Sequence, residues 1–322
     1  MPIIRYEGKD YDCPSDEILL DSLAQQGVKL PSSCKSGACQ TCLTRAISGT
    51  PPAAAQKGLK STLAAQGYFL ACQCKPESDM EIGLATISQK FSTRLIDKMA
   101  LNESVIRLRL SKPDNFDYHA GQFINLIRPS DELTRSYSLA SLPSDDALEL
   151  HIKRVPKGAM SGWLFDHVET GEELAFYGPS GDCFYLPEDP EQPLLLVGAG
   201  TGLAPLYGII QDALQQEHRA PIHLFHGSLA KEGLYLIQTL RELDNQYAQF
   251  HYTPCVLHGD SPPGGMQGNI GDLPVQALGS LSGYRVFLCG DPAIVRTLRQ
   301  NIFMAGASMQ AIHSDPFEFA AS

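Results

Sequence analysis

The spacing of the cysteines constrains this chain more than any other feature of its sequence. Five of the nine cysteines fall between residues 34 and 74. Three of them form the pattern Cys34-x4-Cys39-x2-Cys42, and Cys72 follows further along the chain. A long chain without an export signal is not expected to carry a framework of disulfides. The clustering therefore predicts a metal centre.

The pattern matches the ligand spacing of plant-type 2Fe–2S centres. A structural zinc site would usually have two Cys-x2-Cys pairs, which this spacing does not provide. Small residues in the loop allow the backbone to approach a cluster closely; they are Ser33, Ser36, Gly37 and Ala38. The predicted cluster ligands are Cys34, Cys39, Cys42 and Cys72. Cys74 is the alternative to Cys72, which follows a strand-like run and is preferred for that reason.

The length and the charge of the chain limit the number of domains and the kinds of partner that are expected. A chain of 322 residues exceeds the usual size of a single core, so two or three domains are expected. The net charge of −11 argues against a nucleic-acid partner, which would need a basic face. Residues 1–86 carry 8 basic and 9 acidic side chains, whereas residues 87–190 carry 11 and 16. The acidity therefore lies mainly beyond the cysteine segment.

Neither the first residues of the chain nor its one long uncharged stretch has the pattern of a membrane span. The first residues contain no apolar run or cleavage pattern, so we expect a cytoplasmic protein. The uncharged stretch 192–211 contains several glycines and prolines, which favour a strand, loop and helix over a membrane span. We expect no integral membrane span.

The pattern of apolar residues changes twice along the chain. Short strands and one helix, capped by Ser15 and ending at Gly27, are predicted in the first segment. Alternating residues such as those of 105–110 then predict short strands typical of a barrel or sandwich. From Leu194, strands alternate with helices predicted at 204–217, 233–244 and 292–304, which indicates a parallel sheet. Linkers are expected near 84–92 and 187–193.

Four motifs resemble those of one known family. Residues 34–42, with Leu70-Ala71-Cys72-Gln73, are similar to the ferredoxin module of single-chain ferredoxin:NAD(P) reductase-like proteins. Arg135-Ser136-Tyr137-Ser138 resembles their flavin motif, Arg-x-Tyr-Ser/Thr. Residues 198–205 resemble their pyridine-nucleotide loop, and Cys289-Gly290-Asp291-Pro292 resembles their Cys-Gly-x-Pro motif. The order of the motifs is similar to that of reductase components of bacterial oxygenases, such as benzoate dioxygenase reductase.

The resemblance implies a multidomain fold of α/β and β type. It implies a β-grasp plant-type 2Fe–2S ferredoxin domain at 1–86 and an antiparallel β-barrel flavin domain at 90–188. A parallel α/β nucleotide-binding domain is implied at 192–322. The implied cofactors are a 2Fe–2S cluster, FAD in preference to FMN, and NADH in preference to NADPH.

The resemblance also assigns roles to residues at the flavin. In the family, the tyrosine of the motif packs on the flavin ring and the following serine reaches N5, and these are Tyr137 and Ser138 here. Arg135 would meet the pyrophosphate, because a guanidinium matches phosphate geometry. A helix beginning near Gly158 would supply a phosphate site at its N-terminus. The predicted flavin contacts are Arg135, Ser136, Tyr137, Ser138, His151, Ile152, Lys153, Gly158, Met160 and Ser161.

A second set of residues is predicted at the nucleotide. The loop is not a Rossmann fingerprint, because Leu203 stands where the third glycine would fall. The resemblance implies nucleotide contacts at Gly200, Thr201, Gly202, Ser228, Cys289, Gly290, Asp291 and Pro292. Leu229 stands where a basic residue for the 2′-phosphate of NADPH is expected, which favours NADH. Lys231 is close enough in sequence that NADPH is still possible. Ser138, Cys289 and Phe317 are the predicted catalytic residues, with Phe319 as the alternative to Phe317.

The resemblance implies a reductase that passes electrons from NADH through flavin and cluster to a separate terminal oxygenase. There are two alternatives. The protein could supply electrons to a deoxysugar dehydratase or another non-oxygenase acceptor, or it could be a non-catalytic redox-sensing or binding protein. No Cys-x-His or Glu-x-x-His motif for an oxygenase centre is present in the chain. We expect transient docking of an acidic partner beside the cluster, at Lys35, Arg45, Lys57 and Lys60.

Overall fold

The computed structural model describes residues 1–32, 36–37, 40–84 and 89–317. The chain divides into two compact units, Met1–Ile87 and Ser88–Ser322. Cys34, Lys35, Cys39 and Phe319 lie outside the described residues. Predictions for these four residues therefore stay predictions.

The first unit is built on a mixed sheet with one helix against its core. Its strands are β1 (Ile3–Tyr6), β2 (Lys9–Asp12), β3 (Leu43–Ser48), β4 (Tyr68–Leu70) and β5 (Met80–Leu84). Their order is β2-β1-β5-β3-β4, with β1 and β5 parallel and the other neighbours antiparallel. Alternation buries Ile4 of β1 and Ile82 of β5 against helix α1 (Leu19–Gln25). This unit matches the predicted ferredoxin fold.

Two details of the first unit differ from the sequence predictions. Helix α1 begins after Ile18 and has no side-chain cap, so the predicted cap at Ser15 is wrong. Helices α2 (Ala53–Gln56) and α3 (Ser61–Ala65) were not predicted. Each is too short to show a helical period, so hydrophobic patterning cannot reveal it.

The second unit begins with an antiparallel barrel. Its strands are β6 (Gln89–Ala100), β7 (Val105–Ser111), β8 (Phe123–Ile127), β9 (Thr134–Ser138), β10 (Ala147–Lys153) and β11 (Glu173–Ser180). Their order is β10-β7-β6-β11-β8-β9, and a bridge between Leu139 and Leu150 joins the two ends. Helix α4 (Ala159–Asp166) buries Met160 and Leu164 in the same apolar core. The predicted flavin-barrel architecture is confirmed.

A parallel sheet with crossover helices completes the second unit. Its strands are β12 (Leu194–Ala199), β13 (Ile222–Ser228), β14 (Phe250–Val256), β15 (Met266–Gln267), β16 (Arg285–Gly290) and β17 (Ile312–Pro316). Its helices are α5 (Leu203–Gln215), α6 (Ile237–Gln246), α7 (Leu273–Leu278) and α8 (Pro292–Met304). The strand order is β15-β14-β13-β12-β16-β17, and each pair is parallel. The predicted parallel α/β fold is confirmed.

Helix α6 begins later than predicted. The sequence places its start at residue 233, but a 3-10 turn occupies Lys231–Gly233 and the α-helix begins at Ile237. Leu236, the residue before the helix, has a left-handed φ of 56°. The chain therefore changes direction before it enters the helix, and apolar periodicity alone does not show such a break.

The predicted linker at 187–193 is held in place by Arg285 at the start of β16. Its guanidinium donates to the Leu186 carbonyl at 2.7 Å and to Gln192 Oε1 at 3.0 Å. It also pairs with Glu188 Oε2 at 3.2 Å, and only 11% of the Arg285 side chain is exposed. This segment is therefore clamped onto the parallel sheet.

Among the residues that the structure describes, no helix combines the length and the apolar character needed to cross a membrane.

Candidate functional site

Two of the four predicted cluster ligands meet in the first unit. Cys42 precedes β3 and Cys72 lies in a 3-10 turn directly after β4, and the pairing of Leu43 with Leu70 brings them together. Their Sγ atoms are 3.2 Å apart, and both thiols are free and buried. The Gln73 amide also donates towards Cys72 Sγ at 3.6 Å. Free thiols side by side at a loop are the donor set that a 2Fe–2S cluster requires.

Cys74 occupies a different environment from Cys72. It is fully buried in the apolar core, and its carbonyl accepts a hydrogen bond from the Leu19 amide of α1. Burial raises the pKa of the Cys74 thiol to about 12, but burial also raises the pKa of the Cys42 thiol; what distinguishes Cys72 is that its Sγ lies 3.2 Å from Sγ of Cys42. This geometry favours Cys72 as the ligand.

The flavin motif lies on β9, at the edge of the barrel that adjoins the parallel sheet. Ser138 is buried, and its hydroxyl donates to Asp315 Oδ2 of β17 at 2.9 Å. Tyr137 packs against the barrel core, and burial raises the pKa of its hydroxyl. Arg135 donates to the Thr134 carbonyl at 2.8 Å. The motif thus presents a half-buried aromatic ring, a hydroxyl and a guanidinium along one strand.

Ser136 has a role that the motif did not predict. Alternation along β9 turns it to the exposed side, where its hydroxyl donates to Asn125 Oδ1 of β8 at 2.7 Å. Its side chain therefore cross-links two barrel strands, and a flavin contact of this hydroxyl is not supported.

Asp315 brings an unusual carboxyl group to the same place. Burial raises its pKa to about 6, although the hydrogen bond from Ser138 acts in the opposite direction. In the sheet register Asp315 pairs with Cys289 of β16. The contact between Asp315 and Ser138 joins residues that are 177 positions apart in the chain, so local spacing does not reveal it.

Cys289 is enclosed on every side. It is fully buried, and its Sγ lies 3.8 Å from Sγ of Cys183, which the sequence gave no reason to connect with it. Burial raises the pKa of the Cys289 thiol well above its usual value, so the thiol is neutral. A neutral thiol at the end of a parallel strand suits packing against a ligand better than nucleophilic attack.

The glycine loop forms a close-packed cradle before helix α5. A Cβ on Gly202 would lie 2.2 Å from the Cys289 carbonyl oxygen, so only glycine fits between the loop and β16. Gly200 has a left-handed φ of 57°. Thr201 lies between them in a 3-10 turn that leads into α5. The loop, the helix N-terminus and Cys289 therefore converge at the carboxyl edge of the sheet, where ligands bind in such folds.

The Cys-Gly-x-Pro motif ends β16 and begins α8. Asp291 is the N-cap of the helix, and its Oδ1 accepts from the Ala293 amide at 2.8 Å. Pro292 is the first helical residue, where a missing N–H has no cost. Gly290, with a φ of 125°, accepts at its carbonyl from the Phe317 amide at 2.8 Å. Phe317 therefore lies beside the end of β16, next to the predicted catalytic residue Cys289.

The side chains of His151 and Ile152 pack or bond within the protein, so the predicted flavin contacts of these residues would be made by their backbone and stay predictions. Ile152 is fully buried in the barrel core. His151 faces the parallel sheet, where it bonds Tyr235 and Glu149. Lys153 lies on the same face of β10, and its Nζ is 3.9 Å from the position of a Cβ on Gly200. Lys153 therefore adjoins the nucleotide loop.

The predicted phosphate site at α4 is partly occupied by the protein itself. Met160 points into the barrel core. The Ser161 hydroxyl accepts from the Val155 amide at 3.1 Å and donates to the Gly158 carbonyl at 3.4 Å. The side chains of Met160 and Ser161 therefore shape the turn before the helix, and the backbone at Gly158 remains the candidate contact.

Ser228 ends β13, at the same edge of the sheet as the glycine loop. A Cβ on Gly233 would lie 2.1 Å from Ser228 Oγ, so the chain after β13 folds directly over this residue. Leu229 is 69% exposed beside it.

Three protein families match successive parts of the chain. Residues 4–77 match the 2Fe-2S iron-sulfur cluster binding domain. Residues 92–185 match the oxidoreductase FAD-binding domain, and residues 196–300 match the oxidoreductase NAD-binding domain. The predicted cofactors, a 2Fe–2S cluster, FAD and a nicotinamide nucleotide, are confirmed.

Full-length relatives share the same organisation. The chain is 33% identical to the reductase subunit of an aromatic O-demethylase from Amycolatopsis sp., over 96% of each chain. It is 34% identical to the ferredoxin–NAD(P)(+) reductase component of a naphthalene 1,2-dioxygenase system from Pseudomonas putida, over 93% of each. Among solved structures, the Amycolatopsis cytochrome P450 reductase GcoB has 30% identity and a TM-score of 0.70, covering 100% of both chains.

The described residues fit the groups that these families bind. The free Cys42 and Cys72 thiols suit an iron–sulfur cluster, and the cradle at Gly202 suits a nucleotide. The predicted reductase activity is confirmed by the full-length relatives. The chain belongs to the family of single-chain ferredoxin reductase-like proteins, electron-transfer oxidoreductases that join a 2Fe–2S domain to FAD- and NAD-binding domains.

Proposed function

We propose that this protein oxidises NADH in the cytoplasm and supplies the electrons to a separate terminal oxygenase. The names of the relatives support an oxygenase partner, because they include reductase components for aromatic O-demethylation and for naphthalene and terephthalate dioxygenation. When bound, FAD takes up the two electrons of a hydride and releases them singly, and a 2Fe–2S cluster accepts one electron at a time.

The observation that carries the proposal is the assembly of Ser138, Asp315 and Cys289 from three strands of the second unit. The Ser138 hydroxyl and the Asp315 carboxyl form one partly buried hydrogen bond, and Cys289 pairs with Asp315 in the sheet. Because the pKa of Asp315 is about 6, this group can hold a proton near neutral pH. Transfer of a hydride releases no proton, but the reduced flavin can take up one in addition, and the Asp315 carboxyl is the group beside the flavin motif that would exchange it.

Other residues of the site would bind and orient the nucleotide. The N-terminus of α5 and the Lys153 ammonium provide positive potential at the glycine loop, as a pyrophosphate requires. The half-buried Tyr137 ring would pack on the flavin and exclude water, and the buried Cys289 thiol would form part of the wall behind the glycine loop. Phe317 follows β17 at the open side and would move aside for nicotinamide.

A preference for NADH is supported by the surface beside Ser228. Leu229 is largely exposed there and offers no charge to a 2′-phosphate, and Lys231 is followed by Glu232. An acidic neighbour weakens the attraction of Lys231 for a phosphate.

Docking of the oxygenase is proposed on the surface of the first unit near Cys72. Helices α2 and α3 pack on β4, and α2 also contacts the turn that holds Cys72. Lys57 is exposed between these helices. Arg45 lies over the Tyr68 ring at 5.7 Å and donates to the Gln66 carbonyl at 3.1 Å, so part of its role is structural. Among the described residues, Lys57 is therefore the main candidate for contact with the partner.

Anaerobic titration with NADH, followed by absorption and EPR spectroscopy, tests the proposed function. We expect bleaching of a flavin spectrum and then a rhombic reduced-cluster signal. A purified, cofactor-loaded protein that shows neither change on addition of NADH would refute the proposal. A partner screen against purified oxygenase components would then identify the acceptor.

A further inference from the structure

Residues 231–236, here called the strap, connect β13 to helix α6 across the boundary between the parallel sheet and the barrel. Leu234 and Tyr235 are buried, with exposed fractions of 4% and 2%. Leu236 has the left-handed φ of 56°, which a branched side chain adopts only at a cost in free energy. Such a conformation persists when the surrounding contacts fix the segment.

One end of the strap lies on the nucleotide edge of the sheet. Gly233 is so close to Ser228 Oγ that a Cβ would be only 2.1 Å from it. A shift of the strap would therefore move or crowd Ser228, the residue that ends β13 at the candidate nucleotide site. The position of the strap and the shape of that site are linked.

The other end of the strap is bonded to the flavin barrel. Tyr235 Oη lies 3.2 Å from Nδ1 of His151 on β10, and His151 Nε2 lies 2.9 Å from Glu149 Oε1. The Asn102 amide, at the tip of the β6–β7 hairpin, is near the carbonyls of Glu232 and Leu234, at 3.3 and 3.4 Å. The barrel thus holds the strap through both a side chain and its backbone.

The direction of the hydrogen bonds follows from their chemistry. A carboxylate can only accept, so Nε2 of His151 donates to Glu149; in the neutral imidazole Nδ1 then accepts from the Tyr235 hydroxyl. Burial raises the pKa of Tyr235 well above its usual value, which keeps this donor protonated. On its other side Tyr235 meets the edge of His226, whose pKa is lowered to about 4 by burial.

The same face of β10 reaches both halves of the nucleotide site. Glu149 and His151 hold the strap, and through it Ser228, whereas Lys153 lies against the glycine loop at Gly200. Alternation along the strand places these three side chains on one side. One barrel strand therefore supports the glycine loop directly and the Ser228 edge through Tyr235.

We propose that Tyr235 is a positioning residue for the nicotinamide nucleotide, which it serves by tying the strap to His151 of the flavin barrel. This inference rests on the proposed oxidation of NADH. Among the described residues, the Tyr235 hydroxyl makes no hydrogen bond with Ser138 or Cys289, so it should influence binding of NADH more than the hydride step.

Substitution of Tyr235→Phe tests this role by removing a single oxygen atom. The buried Nδ1 of His151 then loses its donor, and a lost buried hydrogen bond corresponds to roughly a tenfold change in an equilibrium constant. With the purified holoenzyme and ferricyanide as acceptor, we expect KM for NADH to rise about tenfold. We expect kcat to change less than about twofold, and the flavin content and flavin spectrum to match the wild type.

Tyr207→Phe is the matched control. Its ring also lies near His151, at 6.2 Å between centroids, but no hydrogen bond of its hydroxyl occurs within the described residues. This variant should keep the KM of the wild type. His151→Gln, which removes the same contact from the barrel side, should raise KM to a similar extent and replaces Tyr235→Phe if that variant does not fold.

Two results would overturn the inference. In the first, Tyr235→Phe lowers the melting temperature but leaves KM within about twofold of the wild type, which would indicate packing alone. In the second, kcat falls while KM is unchanged. A wild-type holoenzyme that fails to oxidise NADH would refute the proposed function instead, so the two failures are distinguishable.

Discussion

The two redox regions of this protein are built in opposite ways. In the first unit, Cys42 and Cys72 are 30 residues apart and meet because β3 and β4 are neighbours in one small sheet. In the second unit, Ser138 and Asp315 are 177 residues apart, and Cys183 and Cys289 are 106 apart. A site of the first kind is encoded by local spacing, whereas a site of the second kind depends on topology. We expect the loss of one residue to abolish the function of the first site, whereas the loss of one residue in the second site should only reduce its activity.

The sharpest test of this contrast is the pair Cys72→Ala and Cys74→Ala. The first variant removes a proposed cluster ligand, so we expect complete loss of the EPR signal and of electron transfer to cytochrome c. Reduction of ferricyanide by NADH should continue, because the second unit is untouched. The second variant should retain the cluster, as judged by iron content, at some cost in stability. Loss of the cluster only in Cys74→Ala would reverse the assignment.

Asp315→Asn tests whether the second region holds a buried proton. The folded-state pKa of about 6 is above the usual value for Asp, so the folded protein binds this proton more tightly than the unfolded chain. The free energy of unfolding should therefore fall as pH rises from about 4 to about 6, by on the order of 3 kcal/mol from this group. The Asn variant should lack that decrease, as measured by denaturant unfolding across the range. An unchanged pH dependence would contradict the assignment.

Gly202→Ala tests the close packing of the glycine loop. The added Cβ would lie 2.2 Å from a backbone oxygen of Cys289 and cannot be accommodated by moving a side chain. We expect a loss of about 1 to 3 kcal/mol in stability and weaker binding of NAD⁺ in calorimetry. Gly162→Ala on helix α4, where a Cβ would contact nothing within 4 Å, is the control and should behave like the wild type. Equal affinities in all three proteins would count against a nucleotide role for the loop.

The smallest expected effect concerns charge on the first unit. Lys57→Glu should lower the rate of electron transfer to the purified oxygenase a few-fold at low ionic strength, with less effect at high salt. Lys9→Glu changes the same charge on β2, at the opposite edge of the sheet from β4, and should leave the rate unchanged. Similar effects of both variants would indicate a long-range field instead of local docking.

The contrast also explains which features the sequence could predict. The cysteine pattern and the alternation of apolar residues led to the fold of each unit, because both signals are local. The bond between His151 and Tyr235 could not be predicted, since the surroundings of a side chain on β10 depend on what the rest of the second unit places against it. Cys183 gave no signal at all, because its neighbour Cys289 becomes adjacent only after both halves of the second unit have folded.

The clamp formed by Arg285 has a consequence for recombination among members of this family. The segment that looks like a linker is bonded to the parallel sheet through the Leu186 carbonyl, Glu188 and Gln192. A chimaera that exchanges nucleotide-binding domains at residue 190 would separate Arg285 from partners chosen for it. A crossover placed between the end of β11 at Ser180 and Leu186 would keep Arg285 with these partners.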